Sequence, residues 1–560
     1  MTEADRMMYW SQFQNVFQVL LPRYAYTYPT ITLLQCGYNA ALLSKGILLN
    51  LSRNLSELIQ SDGDKESLNL LEELKRNRLM LDRQYNSYER TLDTDSLEKV
   101  VNDLERKLIQ KSQTYGDYVK DMSIQWKDVQ EKLSAQDVSI EFVSFPLNKD
   151  SVMYMAYVLQ KGFTHPELVP LFEEKQLRKD MVVSQNAKLS AIIWQPLSHY
   201  LKEKKNVYFS PAGELYNIPI EALSHWEEDC LLSDKWNMYR LSSTRELAIS
   251  KDKKILKQAS VYGGVKYDAG KELLVSDSKR YSHNRTYDMS TIVLGDSLGM
   301  RSGVAYLPAT KAEVEEIKDI LTKKSILTTL RMDTLATEGD VKNLSGKRKN
   351  LLHIATHGFY WSEREAKYRS NLGFLTFTNN LPQYFEDKAM TRSGLLMAGA
   401  NNALMGEKLS QGIDDGILTA KEISQMDLRG LDLVVLSACE TGLGEIKGDG
   451  VFGLQRGFKK AGANSLLMSL WKVDDEATRL LMTQFYKNLT LGMSKYESLK
   501  QAQKYVREYE VKVEVKSDIR PSISARAKEQ LNNSQGKTWK KVRKFESPLY
   551  WAAFILLDAK

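Results

Sequence analysis

His357 and Cys439 are the two side chains of this chain best suited to covalent chemistry. The thiolate is the reactive form of cysteine, and a free thiol ionises near pH 8.5. A neighbouring imidazole takes the proton or stabilises the thiolate as an ion pair. Each residue closes an apolar run. "LLHIATHG" ends in His357 and Gly358, and "LVVLSACETG" sets Cys439 ahead of Gly442. Glycine lets the backbone turn sharply there. The backbone N–H groups of Gly358 and Cys439 are candidates for an oxyanion hole, worth roughly 3 kcal/mol per donor. Each residue also has a plain structural reading, a small buried thiol and a satisfied histidine at a strand end. His353 is the neighbouring decoy. In a strand it stands about 13 Å from His357, too far to share a metal. "HIATH" also lacks the glutamate of the zinc-protease helix, so His353 reads as a core or supporting residue.

The elements that must position this pair are legible in the pattern. Residues 291–560 alternate strand and helix. "NLLHIATHG", "DLVVLSAC" and "NSLLMSLW" read as strands. "TKAEVEEIKDILTKK", "GDGVFGLQRGFKKAGA" and "DDEATRLLMTQFYKNL" read as helices, and "ESPLYWAAFILLD" closes the block as an apolar strand. The order predicts a parallel sheet with right-handed crossovers. Ligands of open parallel sheets bind outside the carboxyl ends of the strands, which puts His357 and Cys439 on one rim. Asp474 and Asp475, in "LWKVDDEAT", fall just past another strand end on that rim. A carboxylate there can receive a basic side chain, and both also suit a helix N-terminus. Asp449, in "GDGVFG", carries the same ambiguity, with capping the stronger side. The segment 374–416 is long and rich in Gly, Asn and Ser. It reads as a functional loop, one in which Asp414 and Asp415 can add to an acidic pocket.

Residues 136–290 form an earlier α/β block, with "SIEFVSFPL", "VMYMAYVLQ", "NVYFSPAGEL" and "ASVYGGVKY" as strands. Residues 1–135 read as helical. Leu97, Val101, Leu104 and Leu108 step by helical spacing along one face, so 53–135 suggests a hairpin or arm after a helical region at 1–52. The segment 511–545 is basic and polar.

Composition excludes several classes. The chain has 560 residues, 42% hydrophobic and 27% charged, with a net charge of +7, too mild to point to nucleic acid as a direct ligand. No apolar run is long enough for a membrane span. The N-terminus lacks a basic start followed by an apolar block. Cys36, Cys230 and Cys439 make no disulfide framework, and a reducing cytoplasm is the expectation. No P-loop, dinucleotide fingerprint, metal-ligand cluster or serine nucleophile elbow is present, so no cofactor is expected.

The segments "LLHIATHG", "VVLSACETGLG", "GDGVFGLQRGFKKAGANSLLMSLWKVDDEAT" and "PLYWAAFILLD" follow one another in an order that resembles the CHAT family of caspase-like peptidases, related to separases. "SPAGELYNIPIEAL", "VYGGVKYD" and "LPATKAEVEEI" also look like its landmarks. The resemblance spans roughly 138–560. "YNAALLSKGILL" resembles the end of a tetratricopeptide array, although no 34-residue repeat is evident. The resemblance implies a caspase-like α/β fold in two tandem halves. The first, 136–290, would be a pseudo-caspase half, and the second, 291–560, would carry the active site behind an all-helical N-terminus. It further implies a cytoplasmic bacterial cysteine peptidase acting on a protein partner, with His357 as base and Cys439 as nucleophile. Separases have a similar "LW…D" element in an acidic pocket, and Asp475 matches it better than Asp474. Caspase-like enzymes commonly mature by clipping a loop, here 374–416.

A second reading stays open, a catalytically silent scaffold that binds a partner through its helical arm. A third is transfer or hydrolysis of a small amide. An activating protein partner docking on the N-terminal helices fits the first two.

Overall fold

The structure is a computed structural model. It describes residues 10, 12–45, 65–86, 94–111, 123–180, 186–249, 255–281, 303–361, 389–407, 409, 413–438, 441–442, 444–447, 450–514 and 539–560. In chain order the strands are β1 (Asp137–Asn148), β2 (Ser151–Leu159), β3 (Glu167–Glu173), β4 (Asn206–Ser210), β5 (Asn237–Arg240), β6 (Gln258–Val265), β7 (Leu327–Asp333), β8 (Leu351–Ala355), β9 (Gly358–Tyr360), β10 (Ser393–Leu396), β11 (Ile417–Thr419), β12 (Leu433–Ser437), β13 (Gly444–Lys447), β14 (Gly450–Gly453), β15 (Ser465–Ser469), β16 (Glu510–Glu514), β17 (Trp539–Arg543) and β18 (Phe554–Leu557).

One eleven-stranded, mostly parallel sheet runs through both α/β blocks, in the order β3-β2-β1-β4-β5-β18-β15-β12-β8-β6-β7. Strand β18 joins the blocks. It pairs antiparallel with β15 on one side and meets β5 in parallel through Leu557 and Arg240 on the other. The boundary at 290 falls outside the described residues, but β6, N-terminal to it, pairs with β7 and β8.

The central strands are near-continuous apolar runs because both faces are covered. On one face Leu352, Ile354, Val434, Leu436, Leu466 and Met468 share a core with the β10–β11 region. On the other, Leu351, Ala355, Leu433, Val435 and Leu467 pack against the helices Pro308–Lys323 and Asp475–Thr490.

The N-terminal helix Ile31–Ser44 lies on the β1–β2 face, where Tyr38, Ala41 and Leu42 are buried with Phe145, Met155 and Tyr157. Gly37 permits that approach, since a Cβ there would sit 2.0 Å from the Tyr157 hydroxyl. The helix ends by sending Lys45 into the sheet. Its ammonium meets Glu141 Oε1 at 2.6 Å and donates to the Phe142 and Pro211 carbonyls, each at 2.7 Å. The helices Lys65–Asn86 and Thr94–Lys111 form a hairpin, in which Val101, Leu104 and Leu108 pack on Leu71 and Leu74.

Two expectations need correcting. The run "GDGVFGLQRGFKKAGA" is not one helix. Gly450–Gly453 is strand β14, paired with β13, and the helix covers only Leu454–Lys460. Gly450 and Gly453 disfavour helix, while Val451 and Phe452 suit a strand. The segment 374–416 is also not simply a loop. Residues 374–388 lie outside the described residues, but 393–396 form β10 and Ala400–Leu404 is a buried helix. Leu395, Leu396, Met397 and Ala403 supply the apolar burial that holds it. Among the described residues, no helix is long and apolar enough to cross a membrane.

Candidate active site

Strands β8 and β12 are parallel and in register, with Leu433 opposite Leu351 and Ser437 opposite Ala355. Both chains therefore leave the sheet on the same rim and at the same level. His357 follows two residues past the last pair. Cys439, two residues past Ser437, lies outside the described residues, as do Glu440 and Asp449.

The turn beyond Ser437 is anchored on both sides of that gap. Ser469 Oγ donates to the Ala438 carbonyl at 2.5 Å, and the Gly442 N–H donates to the Ser469 carbonyl at 2.8 Å. Thr441 Oγ1 donates to the Ala438 carbonyl at 3.3 Å and accepts the Ser469 N–H at 3.2 Å. A Cβ on Gly442 would stand 3.1 Å from the Ser469 carbonyl oxygen, so glycine lets this turn lie against the end of β15.

His357 is half-buried, and its Nε2 lies 2.9 Å from the Ala305 carbonyl oxygen. A carbonyl only accepts, so Nε2 carries the proton and Nδ1 holds the lone pair. Burial pushes the imidazole below its ordinary pKa. The hydrogen bond to Ala305 opposes this, Lys472 adds to it, and the Asp475 carboxylate opposes it. The Tyr267 ring packs against the imidazole, 5.1 Å between centroids. The Tyr267 hydroxyl accepts the His357 backbone N–H at 3.3 Å and pairs with Thr356 Oγ1 at 2.9 Å.

Gly358 opens β9, which pairs with β10 and, through it, with β11. The Leu396 N–H donates to the His357 carbonyl at 2.9 Å, and the Trp361 N–H donates to the Arg392 carbonyl at 2.8 Å. Hydrogen-bonded pairs alternate along an antiparallel ladder. Gly358 falls on an intervening position, so its N–H points away from β10. That leaves it placed to donate to an oxygen outside the ladder.

His353 lies wholly within the core. Its Nδ1 pairs with the Tyr486 hydroxyl at 3.0 Å, and its Nε2 stands 3.0 Å from Glu313 Oε1. It joins β8 to the two covering helices and does not reach the rim.

The two acids after β15 have separate situations. Asp474 Oδ1 accepts the N–H groups of Glu476 and Ala477, each at 3.0 Å, and caps the helix. Asp475 is the first helical residue, is exposed, and acts electrostatically on His357. Asp414 and Asp415 do not line a flexible loop, because both are buried. Lys342 donates to Asp414 at 3.1 Å and to Glu422 at 3.1 Å, and also binds Glu338. Asp415 Oδ1 accepts the Ile417 N–H at 2.9 Å, and burial beside Glu422 pushes its pKa up to about 8. Asp414, Glu422 and Glu338 share the Lys342 ammonium, and Glu338 and Asp415 hold the start of β11 by accepting the Gly416 and Ile417 N–H groups. Cys36 is exposed, and Cys230 is half-buried beside Glu228.

Sequence reasoning missed three parts of this site. Ala305 acts through its carbonyl and carries no side-chain signal. Tyr267 sits in "VYGGVKYD", noticed only as a landmark. Asn401 holds the segment that carries Ala305.

A model of the CHAT domain family matches residues 185–559. Among curated proteins, the chain is similar to tetratricopeptide repeat protein 28 of Mus musculus, 37% identical over 91 residues, 16% of this chain and 4% of that protein. It is also similar to the Homo sapiens protein of the same name, 32% identical over 108 residues, 19% of this chain and 4% of that protein. The chain thus spans a small fraction of the relatives it matches. Among solved structures, the Arg-specific cysteine proteinase gingipain R aligns with a TM-score of 0.30 and 10% identity, over 57% of this chain and 62% of that one. The Saccharomyces cerevisiae separase–securin complex aligns with a TM-score of 0.34 and 9% identity, over 73% of this chain and 32% of that one.

Proposed function

Because the chain belongs to the CHAT domain family, we infer that it is a cysteine peptidase in which Cys439 is the nucleophile and His357 the base. The observation that carries this reading is the register of β8 and β12, with Ala355 level with Ser437. That register brings both strands to the ligand-binding rim of the sheet at one level, two residues before positions 357 and 439 in sequence.

In the proposed mechanism, His357 Nδ1 takes the Cys439 thiol proton and the sulfur attacks the scissile carbonyl carbon. The oxyanion is met by the N–H groups of Gly358 and Cys439. The intermediate collapses to a thioester as His357 returns the proton to the leaving amine. Water, activated by the same imidazole, then hydrolyses the thioester. The third partner of the base is the Ala305 carbonyl, which fixes the tautomer that leaves Nδ1 free.

The substrate in this reading is a protein, bound with a basic side chain before the scissile bond and held by Asp475. Asp474 is occupied as a helix cap and contributes charge only. The apolar side chains of Tyr24, Tyr28 and Ile31, exposed on the N-terminal helices, suit a protein partner, either activator or substrate. A reducing cytoplasm would keep Cys439 as a thiol.

The test is a panel of fluorogenic peptides with Arg, Lys, Leu or Asp before the reporter, given to wild type and Cys439→Ala. Turnover by wild type that vanishes in the variant is the expected result. Equal turnover by both removes Cys439 from the mechanism. Absence of turnover, with partner binding retained by Cys439→Ala, would favour the scaffold. Asp475→Asn is expected to raise KM for the Arg and Lys peptides about two- to fivefold, the scale of an exposed charge pair. KM for the Leu peptide should stay unchanged, and an equal rise for all peptides would remove the acidic pocket.

A further inference from the structure

The carbonyl that sets the His357 tautomer belongs to a short segment with little structure of its own. Residues 303–307 precede the helix Pro308–Lys323 and lie in no strand or helix. Its backbone is held at Val304 by one side chain, ninety-seven residues away in sequence, while the Val304 side chain packs against the core. Asn401 Oδ1 accepts the Val304 N–H at 2.8 Å, and Asn401 Nδ2 donates to the Val304 carbonyl at 3.1 Å. The two bonds satisfy both polar groups of the residue next to Ala305, much as a neighbouring strand would.

The fit is tight. Gly303 has φ +66°, and a Cβ there would stand 2.6 Å from the Asn401 carboxamide. Any other residue would meet both backbone strain and that contact. Asn401 is itself buried and fixed. Its N–H donates to the Tyr267 carbonyl at 3.0 Å. The adjacent Asn402 Nδ2 donates to the Ala269 and Gly399 carbonyls, each at 2.7 Å. One turn therefore grips both neighbours of the imidazole, the ring of Tyr267 and the carbonyl of Ala305.

The geometry points to Asn401 as a positioning residue for the base: it holds Ala305 against His357 Nε2 and thereby keeps the lone pair on Nδ1. This rests on the peptidase reading above for its catalytic consequence, but not for its structural content. Without the clamp, the Val304 N–H and carbonyl turn to water and the Ala305 oxygen leaves the ring. The neutral imidazole is then free to place its proton on either nitrogen. An Nδ1 that already carries the proton cannot accept one from a thiol.

The experiment uses the full chain labelled with ¹⁵N-histidine, with His357→Gln assigning the His357 signals among the six histidines. Wild type is expected to show neutral His357 with the proton on Nε2. In Asn401→Ala the signals should move to a mixture of tautomers. In parallel, kcat on the best peptide should fall about 10²-fold, the scale of a misplaced reacting group, with KM held within twofold. Gly303→Ala should give the same pair of changes by displacing the carboxamide. Asn401→Asp, which keeps the size but sets an oxygen against the Val304 carbonyl, replaces Asn401→Ala if that variant fails to fold.

An unmoved Nε2–H tautomer in these variants overturns the inference whatever kcat does. A moved tautomer with kcat unchanged overturns the positioning role. If wild type cleaves nothing, the peptidase reading fails by itself, and the tautomer measurement alone decides whether Asn401 governs His357.

Discussion

His357→Gln is expected to lower kcat/KM on the cleaved peptide by about 10²–10⁴-fold, the contribution of a positioned proton-transfer group. Gln keeps a donor that can reach the Ala305 carbonyl and removes the atom that accepts the thiol proton. The loss should therefore fall on kcat, with thermal stability held, and a loss under threefold would remove His357 as the base. The same residue sets a pH dependence. Burial lowers its pKa from the ordinary value near 6.5, so the imidazole stays neutral, and able to accept a proton, at a pH where an ordinary histidine is already charged. The acid limb of kcat/KM, which reports the free enzyme's base, should thus lie below pH 6.5. A limb above that value would contradict the burial seen at this rim.

Lys45→Met is expected to produce the largest change in stability, about 3–5 kcal/mol, the cost of removing one partner of a buried ion pair. The Lys45 and Glu141 side chains are 4% and 0% exposed. Glu141 would keep bonds from Ser243 and Thr244 but lose its only described cationic partner. The ammonium also donates to Ser210 Oγ at 2.9 Å, so it ties the N-terminal helix to the middle of β1 and the end of β4 at once. Burial lowers the pKa of Lys45, and the Glu141 carboxylate opposes this. The check is the midpoint of thermal unfolding. Lys45→Met combined with Glu141→Gln should recover much of the loss, because no unpaired charge then remains. A single variant as stable as wild type would show that the helix Ile31–Ser44 is a detachable appendage.

That result would also bear on the helical N-terminus. Its spacing read correctly as helix, and Val101, Leu104 and Leu108 do share one buried face. Nothing in the spacing disclosed that Lys45 is an anchor inside the sheet. A lysine after an apolar run reads as a solvated helix end, and only the oxygens of Glu141, Phe142, Ser210 and Pro211, gathered from two segments, make burial of its charge tolerable.

Much of the central sheet was legible because a strand buried on both faces must be a short apolar run. "LLHIA" and "LVVLS" became β8 and β12, with His357 at the rim as read. The two misreadings share a cause. "GVFG" reads as part of the helix that follows it, and 393–404 reads as loop, because short buried elements rich in glycine or alanine carry little periodicity. Pairing partners distant in sequence decide them. β14 exists by pairing with β13, and β10 by lying between β9 and β11.

The sequence by itself determined the chemistry on offer: one histidine and one cysteine ending apolar runs, followed by glycines, with two acids after a third run. Residue type and local period suffice for that. The tertiary structure alone decided which groups serve them. Asp474 became a cap and Asp475 a free charge near His357. Asp414 and Asp415 went inside, beside Lys342. The partner of His357 became the carbonyl of Ala305, whose neighbour Val304 is held by Asn401. Hydrogen bonds and burial depend on distances between segments about a hundred residues apart, and backbone groups, identical at almost every position, leave no trace in the order of side chains.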